Sequence, residues 1–220
     1  MRVGEAVGST NTGARIRRPM RELMNDRFEA HLDRHISLAT LVRDTLGPAV
    51  TLMADRVIAT LAAGHKIMLC GNGGSAADAQ HIAAELTGRY GVPNRRALAA
   101  LALSTDSSAL TAISNDLGFD QVFARQLEAL SQRDDLLIAI STSGRSPNLI
   151  AAVERARHLG LYTIGLLGGD GGALRTRVDL PILVPSSETP HIQELHITLG
   201  HILCSLVDEA FHPDRRDSDR

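Results

Sequence analysis

Apolar positions follow two different periods along this chain. Near the start, Phe28, Leu32, Ile36, Ala39, Val42 and Leu46 form a stripe at helical spacing, and Val50, Ala54, Val57, Ile58 and Leu61 form another. Gly47-Pro48 lies between them and predicts a break, with Pro48 opening a second helix and Gly64 stopping it. From Lys66 onward, short apolar runs alternate with helix-forming segments. The runs predict strands at 66–70, 97–103, 136–141, 161–167 and 179–184. The segments between them predict helices near 75–88, 107–117, 119–130 and 147–159, whereas 172–177 is too short to predict one. A last helix from Thr189 to Ala210 is expected to turn Ile192, Leu195, Leu199, Ile202, Leu206 and Ala210 inward.

Leu136-Leu137-Ile138-Ala139-Ile140 is apolar throughout rather than alternating, which requires cover on both faces. Strands that alternate with helices predict an α/β fold. The expected form is a three-layer αβα sandwich with a five-stranded parallel sheet, preceded by an N-terminal helical arm. Pro181, inside the last run, predicts an edge strand because proline cannot donate to a ladder.

Composition alters this picture mainly at the ends. Residues 1–25 carry Gly, Ser, Thr, Asn and Arg without a period and read as a flexible tail, or as upstream of a late start at Met20 or Met24. Residues 26–212 then form a single domain including the helical arm, and 213–220 a charged tail. A net charge of −2 leaves no electrostatic footprint for nucleic acid. The longest apolar runs, such as 97–103, are far too short to span a bilayer, and the first twenty residues lack the apolar core of a secretory signal. With no Trp and 3% aromatics, the core must be aliphatic. Cys70 and Cys204, both in apolar surroundings, read as buried free thiols, which fits a reducing cytoplasm.

The chemistry centres on the junction after the first strand. Gly71-Asn72-Gly73-Gly74-Ser75 joins a strand to a helix, which aims backbone N–H groups and a helix N-terminus at one point suited to an anion. The loop also matches a G-x-G-x-x-A dinucleotide fingerprint. That fingerprint wants an acidic residue about 20 positions on, and the first candidate, Asp106, lies much further along. A second strand-to-helix turn, Ser141-Thr142-Ser143-Gly144-Arg145-Ser146 before Pro147, carries four hydroxyls. Helix capping explains Ser146 alone. Ser75, Ser141, Ser143 and Ser146 together point to a phosphate monoester bound at the carboxyl edge of the sheet. Ser104-Thr105-Asp106-Ser107 and Asn115-Asp116 read as capping and turn residues, or as groups that orient sugar hydroxyls.

His81 and Glu85 share one helix face at i,i+4 spacing. The last helix offers Gln193, Glu194, His196 and His201, and Gln193 and His201 lie two turns apart on one side. His81, Glu85, Gln193 and His201 can make a four-coordinate N/O site, for which zinc is the first choice among several divalent metals. His196 is offset in angle and reads as packing. His31, His35, His65, His158, His191 and His212 read as surface or incidental.

Four ordered motifs carry a resemblance: Cys70 to His81 with Glu85, Leu110 to Asp116, Ser141 to Ser146, and Ile192-Gln193-Glu194 with His201. From about Phe28 to Phe211 the chain resembles the phosphoheptose isomerase family of sugar isomerase (SIS) domain proteins. The resemblance implies the flavodoxin-like SIS fold and conversion of a phosphorylated ketose, sedoheptulose 7-phosphate, to an aldose phosphate for heptose nucleotide precursors. It implies a cytoplasmic homotetramer with one zinc per site and no nucleic-acid or membrane partner. It makes Asn72, Gly73, Gly74, Ser75, Asn115, Asp116, Ser141, Thr142, Ser143 and Ser146 substrate contacts, with Glu85 and Gln193. It makes Glu85 and His201 the acid/base pair and His81, Glu85, Gln193 and His201 the metal ligands. Other readings are a non-catalytic SIS protein of the kind that binds the replication initiator, an isomerase of another ketose phosphate, and a sugar-phosphate sensor. The first lacks the acid/base pair and the last needs a DNA-binding domain, none of which is visible here.

Overall fold

The chain reverses direction once as it builds its sheet, and that reversal fixes where everything else lies. The computed structural model describes residues 14–212. Strands β1 (Ile67–Gly71), β2 (Ala100–Ala102), β3 (Leu136–Ser141), β4 (Tyr162–Gly168) and β5 (Leu180–Val184) pair in the order β2-β1-β3-β4-β5, all parallel. The chain lays β2 on one side of β1, then returns to lay β3 on the other. Helices α1 (Ala14–Ala62), α2 (Gly74–Thr87), α3 (Ser107–Leu117), α4 (Ala124–Leu130), α5 (Pro147–His158) and α6 (Thr189–Ala210) surround the sheet. Pro181 sits in β5 at the sheet edge, where its missing N–H costs no ladder bond.

The sheet is buried on both faces, and its side chains sort by parity. Ile67, Leu69, Ile138 and Ile164 join α1, α2 and α6 in one core. Met68, Cys70, Leu137 and Ala139 join α4 and α5 in the other. Both cysteines are buried and free; burial pushes the Cys204 thiol up to about 12, so it stays protonated and inert. None of the described helices is long and apolar enough to cross a membrane.

Several elements differ from the sequence expectation. The predicted break at Gly47-Pro48 is absent: α1 runs through it as one helix of 49 residues. Val42 on one side and Val50, Met53, Ala54, Val57 and Leu61 on the other enter the same core, and that shared packing overrides the local cost of proline. Residues 14–25, expected as tail, are helical, while 1–13 and 213–220 lie outside the described residues. The segment 119–130 is divided into a 3-10 turn at Phe119–Gln121 and α4, with Val122 and Phe123 driven into the core at the junction. A 3-10 turn also forms at Gly172–Thr176. Strand β2 is shorter than expected. Ile202, expected inward, is 42% exposed, because Leu199, Leu203 and Val207 form the buried stripe of α6.

Two polar anchors hold α6. Asp208 accepts hydrogen bonds from the Gly91 and Val92 amides at 2.7 and 2.9 Å and pairs with buried Arg95. Burial alone would raise the Asp208 carboxyl, but these donors hold it below the usual carboxylate range. His196, fully buried, donates from Nε2 to the Leu167 carbonyl of β4 at 3.1 Å. Burial lowers its pKa to about 4, partly offset by that bond.

Two outcomes follow from these contacts. Pro48 is exposed, so Pro48→Ala removes little packing while restoring a helical N–H. Unfolding free energy in urea should rise by about 1–3 kcal/mol; no change would mean that the proline opens a separate helix. His196 is protonated in the unfolded chain before the folded one, so its contribution to stability is whole above pH ~6.5 and is lost as pH falls to about 4. Stability should drop by up to about 3 kcal/mol across that window. His196→Gln, which keeps a donor for Leu167, should remove that share of the pH dependence in matched unfolding curves.

Candidate active site

Pairing of β1 with β3, Gly71 opposite Ile140, puts the glycine turn and the serine turn side by side at the carboxyl ends of their strands. This is the point where strand order reverses, the usual crevice for ligands in an open parallel sheet. Asn72 and Asn148 lock the two turns together by exchanging amide hydrogen bonds of 2.9 and 2.8 Å. Asn148 is buried in the first turn of α5, and the sequence reading missed it. Its signal was a polar residue within a run of otherwise apolar helix positions.

Each turn is built for close backbone approach. The Gly73 carbonyl accepts the Ala76 and Ala77 amides at 3.0 and 3.2 Å as α2 begins. Ser75 is buried at that start. A Cβ on Gly74 would stand 2.5 Å from Nε2 of Gln193, so a larger residue there would displace the amide that α6 lays against the glycine turn. In the second turn Ser141 Oγ accepts the Gly144 amide at 3.0 Å and Ser143 Oγ the Arg145 amide at 3.3 Å. Thr142 presents its carbonyl to Gly168. Gly144, at φ +62°, leaves no room for a side chain against the Gly171 carbonyl. Ser146 stands at the cap position of α5, yet its hydroxyl makes no capping bond. A third loop, Gly168 to Gly172, thus closes on the serine turn, and the ion pair between Arg145 and Asp170 at 2.6 Å ties the two. Four glycines in those five residues were the unread signal.

Along α2 the polar groups continue. His81 Nε2 lies 3.2 Å from Glu85 Oε1 and 3.2 Å from His201 Nε2 on α6. Tyr90 stacks on His201 with ring centroids 5.7 Å apart. The tyrosine is set by its neighbours, since Gly91 and Val92 are held by Asp208. Arg95, from the same loop, donates to the Glu85 and Leu86 carbonyls at 2.7 and 3.0 Å, closing the end of α2. A zinc ion with bonds of 2.0–2.1 Å keeps its ligands about 3.3 Å apart. The two 3.2 Å separations at His81 match that spacing, but the ligand atoms of His81, Glu85 and His201 do not all lie within 4.8 Å of one another, so Glu85 and His201 would have to close on an ion; the Gln193 amide lies against Gly74 at the glycine turn.

Asn115 and Asp116 are not drawn into this group. They stand exposed at the far end of α3 and hydrogen-bond each other at 2.8 Å. Histidines expected to be incidental form a second cluster. Glu194 accepts from His31 and His35 of α1, each at 2.8 Å, and from His191 at 3.1 Å. His191 is buried, not surface. Burial alone would raise the Glu194 carboxyl, but the three imidazoles outweigh it and hold it at about 2. Among the described residues, it is His31, His191 and Glu194 whose ligand atoms all lie within 4.8 Å of one another.

Comparison with known proteins agrees with this geometry. The SIS domain family matches residues 31–168. The phosphoheptose isomerase of a Nitratiruptor species is 65% identical over 146 residues, 66% of this chain and 78% of that protein. That of Pelobacter propionicus is 50% identical over 187 residues, 85% of this chain and 98% of the relative. The structure of phosphoheptose isomerase from Neisseria gonorrhoeae shares 43% identity at a TM-score of 0.80, covering 84% of this chain and 99% of that one. With this likeness running over most or nearly all of the length of these relatives, and a parallel sheet that sets the glycine turn beside the serine turn, the chain belongs to the phosphoheptose isomerase family of SIS-domain proteins.

Proposed function

We propose that this chain isomerises sedoheptulose 7-phosphate to D-glycero-D-manno-heptose 7-phosphate, in the supply of heptose nucleotide precursors. The observation that carries the reading is His81 standing 3.2 Å from both Glu85 and His201, on the helix that begins at the glycine turn. Ser75, Ser141, Ser143 and Ser146 hold the phosphate, with Asn72, Gly73, Gly74 and Thr142 around it. Anchoring one end of the sugar fixes the other over α2. Glu85 takes the proton from C1 of the ketose and returns it at C2 of the enediol, while His201 moves a proton between the two oxygens. His81, Glu85, Gln193 and His201 would hold a divalent ion, zinc first, whose charge would stabilise the enediolate oxygens. Asn115 and Asp116 belong to the substrate set by family likeness alone. Glu85 and His201 together favour an enzyme over a binding protein of the same fold. The catalytic unit is taken as one cytoplasmic domain, 26–212.

Glu85→Gln keeps size and hydrogen bonding but removes the base. It should cut kcat by roughly 10²–10⁴ with little change in KM, and solvent deuterium should no longer enter beside the carbonyl. Wild-type protein assayed on five- to seven-carbon ketose phosphates should prefer the seven-carbon one and lose activity to a chelator. Near-normal turnover of the variant, with metal content unchanged, would assign the base elsewhere.

The same proposal includes a homotetramer. Leu23, Met24, Phe28, Leu32 and Ile36 leave an apolar stripe on α1, with Phe28 65% and Ile36 62% exposed. Light scattering at micromolar concentration should give four chains per particle. A monomer would refute this part alone.

A further inference from the structure

The geometry points to a second divalent-metal site, separate from the one above, where His31 of α1 meets His191 and Glu194 of α6. Three features carry it. First, His31 Nε2 is 2.8 Å from Glu194 Oε1, His191 Nδ1 is 3.1 Å from Glu194 Oε2, and all three ligand atoms lie within 4.8 Å of one another. Tetrahedral zinc needs ligand separations of about 3.3 Å; the two histidine–carboxylate distances are each within about half an ångström of that, and no pair of the three ligand atoms is more than 4.8 Å apart. Two imidazoles and one carboxylate are a donor set that suits zinc and its neighbours rather than magnesium or calcium.

Second, the groups that orient ligands stand close by. His35 Nδ1 lies 2.8 Å from Glu194 Oε2, the same oxygen that His191 meets, and so holds the carboxylate in place. The Nε2 of His191 faces a Glu188 carboxylate oxygen at 3.9 Å, on the side away from Glu194. A carboxylate hydrogen-bonded behind a ligating imidazole fixes its ring and raises its basicity; Glu188, held by Arg34, would have to close from 3.9 Å to do so. Third, the cluster opens to solvent. A cavity of about 230 Å³ is lined by Asp26, Arg27, Ala30, His31, Arg34, Glu188 and His191, with Arg34 paired to Glu188 at 3.0 Å. It supplies an entry path and room for a water as fourth ligand. His31 and His191 also lie almost against each other, with ring centroids 4.2 Å apart, on helices that the chain joins only through its whole length.

Such an ion would clasp α1 to the first turn of α6, next to the residue whose amide reaches the glycine turn. The site is defined by H-x-x-x-H on one helix and H-x-x-E on the other, and it uses none of the groups assigned to proton transfer.

The test is zinc stoichiometry and affinity on the full chain, stripped with chelator and titrated by competition with a chromophoric chelator. His81→Ala is the background, so that the first site is absent. That variant should still take up one zinc per chain and show a zinc-dependent rise in melting temperature. Adding His31→Ala, at a half-exposed position that leaves the core intact, should abolish both. Adding His35→Ala instead should keep the stoichiometry and weaken affinity by about 10–100-fold. Circular dichroism confirms that each variant is folded. If His81→Ala binds no zinc, or binds one that His31→Ala does not remove, the second site does not exist and the three imidazoles serve only as donors to Glu194. Neither result bears on isomerase activity, which is measured separately.

Discussion

The parallel pairing of β1 with β3 is the constraint on which this molecule depends. A parallel ladder forces each strand to be followed by a helix that crosses back, so every strand-to-helix turn falls on one edge of the sheet. Placing β1 and β3 as neighbours then makes the glycine turn and the serine turn adjacent. Nothing else in the chain could bring backbone amides near 73 and hydroxyls near 143 to one place. The reciprocal Asn72–Asn148 bonds then join the two turns directly.

The second requirement is that α6 come close enough to contribute. Gly74 meets it by having no side chain, and Gly200 does the same where α6 crosses α2, since a Cβ there would collide with Ile82. Small residues on both partners let two helices approach until His81 and His201 touch. Asp208 then fixes the depth of α6 through the Gly91 and Val92 amides, at a buried carboxylate that would be costly if unpaired. The same anchor seats the loop that carries Tyr90 and Arg95. Charge, glycine and helix geometry therefore act on one element, and the ligand groups are its consequence.

Local pattern was enough to read the sheet, since runs such as 136–141 have no other reasonable state, and even the edge position of β5 was written in Pro181. Gly47-Pro48 misled because a proline's local cost is visible in sequence, whereas the shared core that overrides it is not. Ile202 misled because helical periodicity drifts over six turns and the buried stripe follows Leu203 instead. In the site, His81 and Glu85 were legible as a pair from i,i+4 spacing. Asn148, Tyr90 and the Glu194 cluster were not, because each works through a partner brought near by tertiary structure alone: 76 residues away for Asn148 and 163 for the His31–Glu194 contact.

Those separations have a bearing on how the protein comes into being. His81 and His201 are 120 residues apart, and Arg95 and Asp208 113. Contacts that distant close slowly, because the entropy of a long loop is lost before the contact repays it. Successive strand-helix units can form as the chain leaves the ribosome, and the paired glycine and serine turns with them. The segment Thr189–Ala210 must be made and released before α6 can cross α2. The meeting of His81 with His201 is thus completed last, together with the part of the core that α6 supplies, and it marks the final stage of assembly rather than the first compact state.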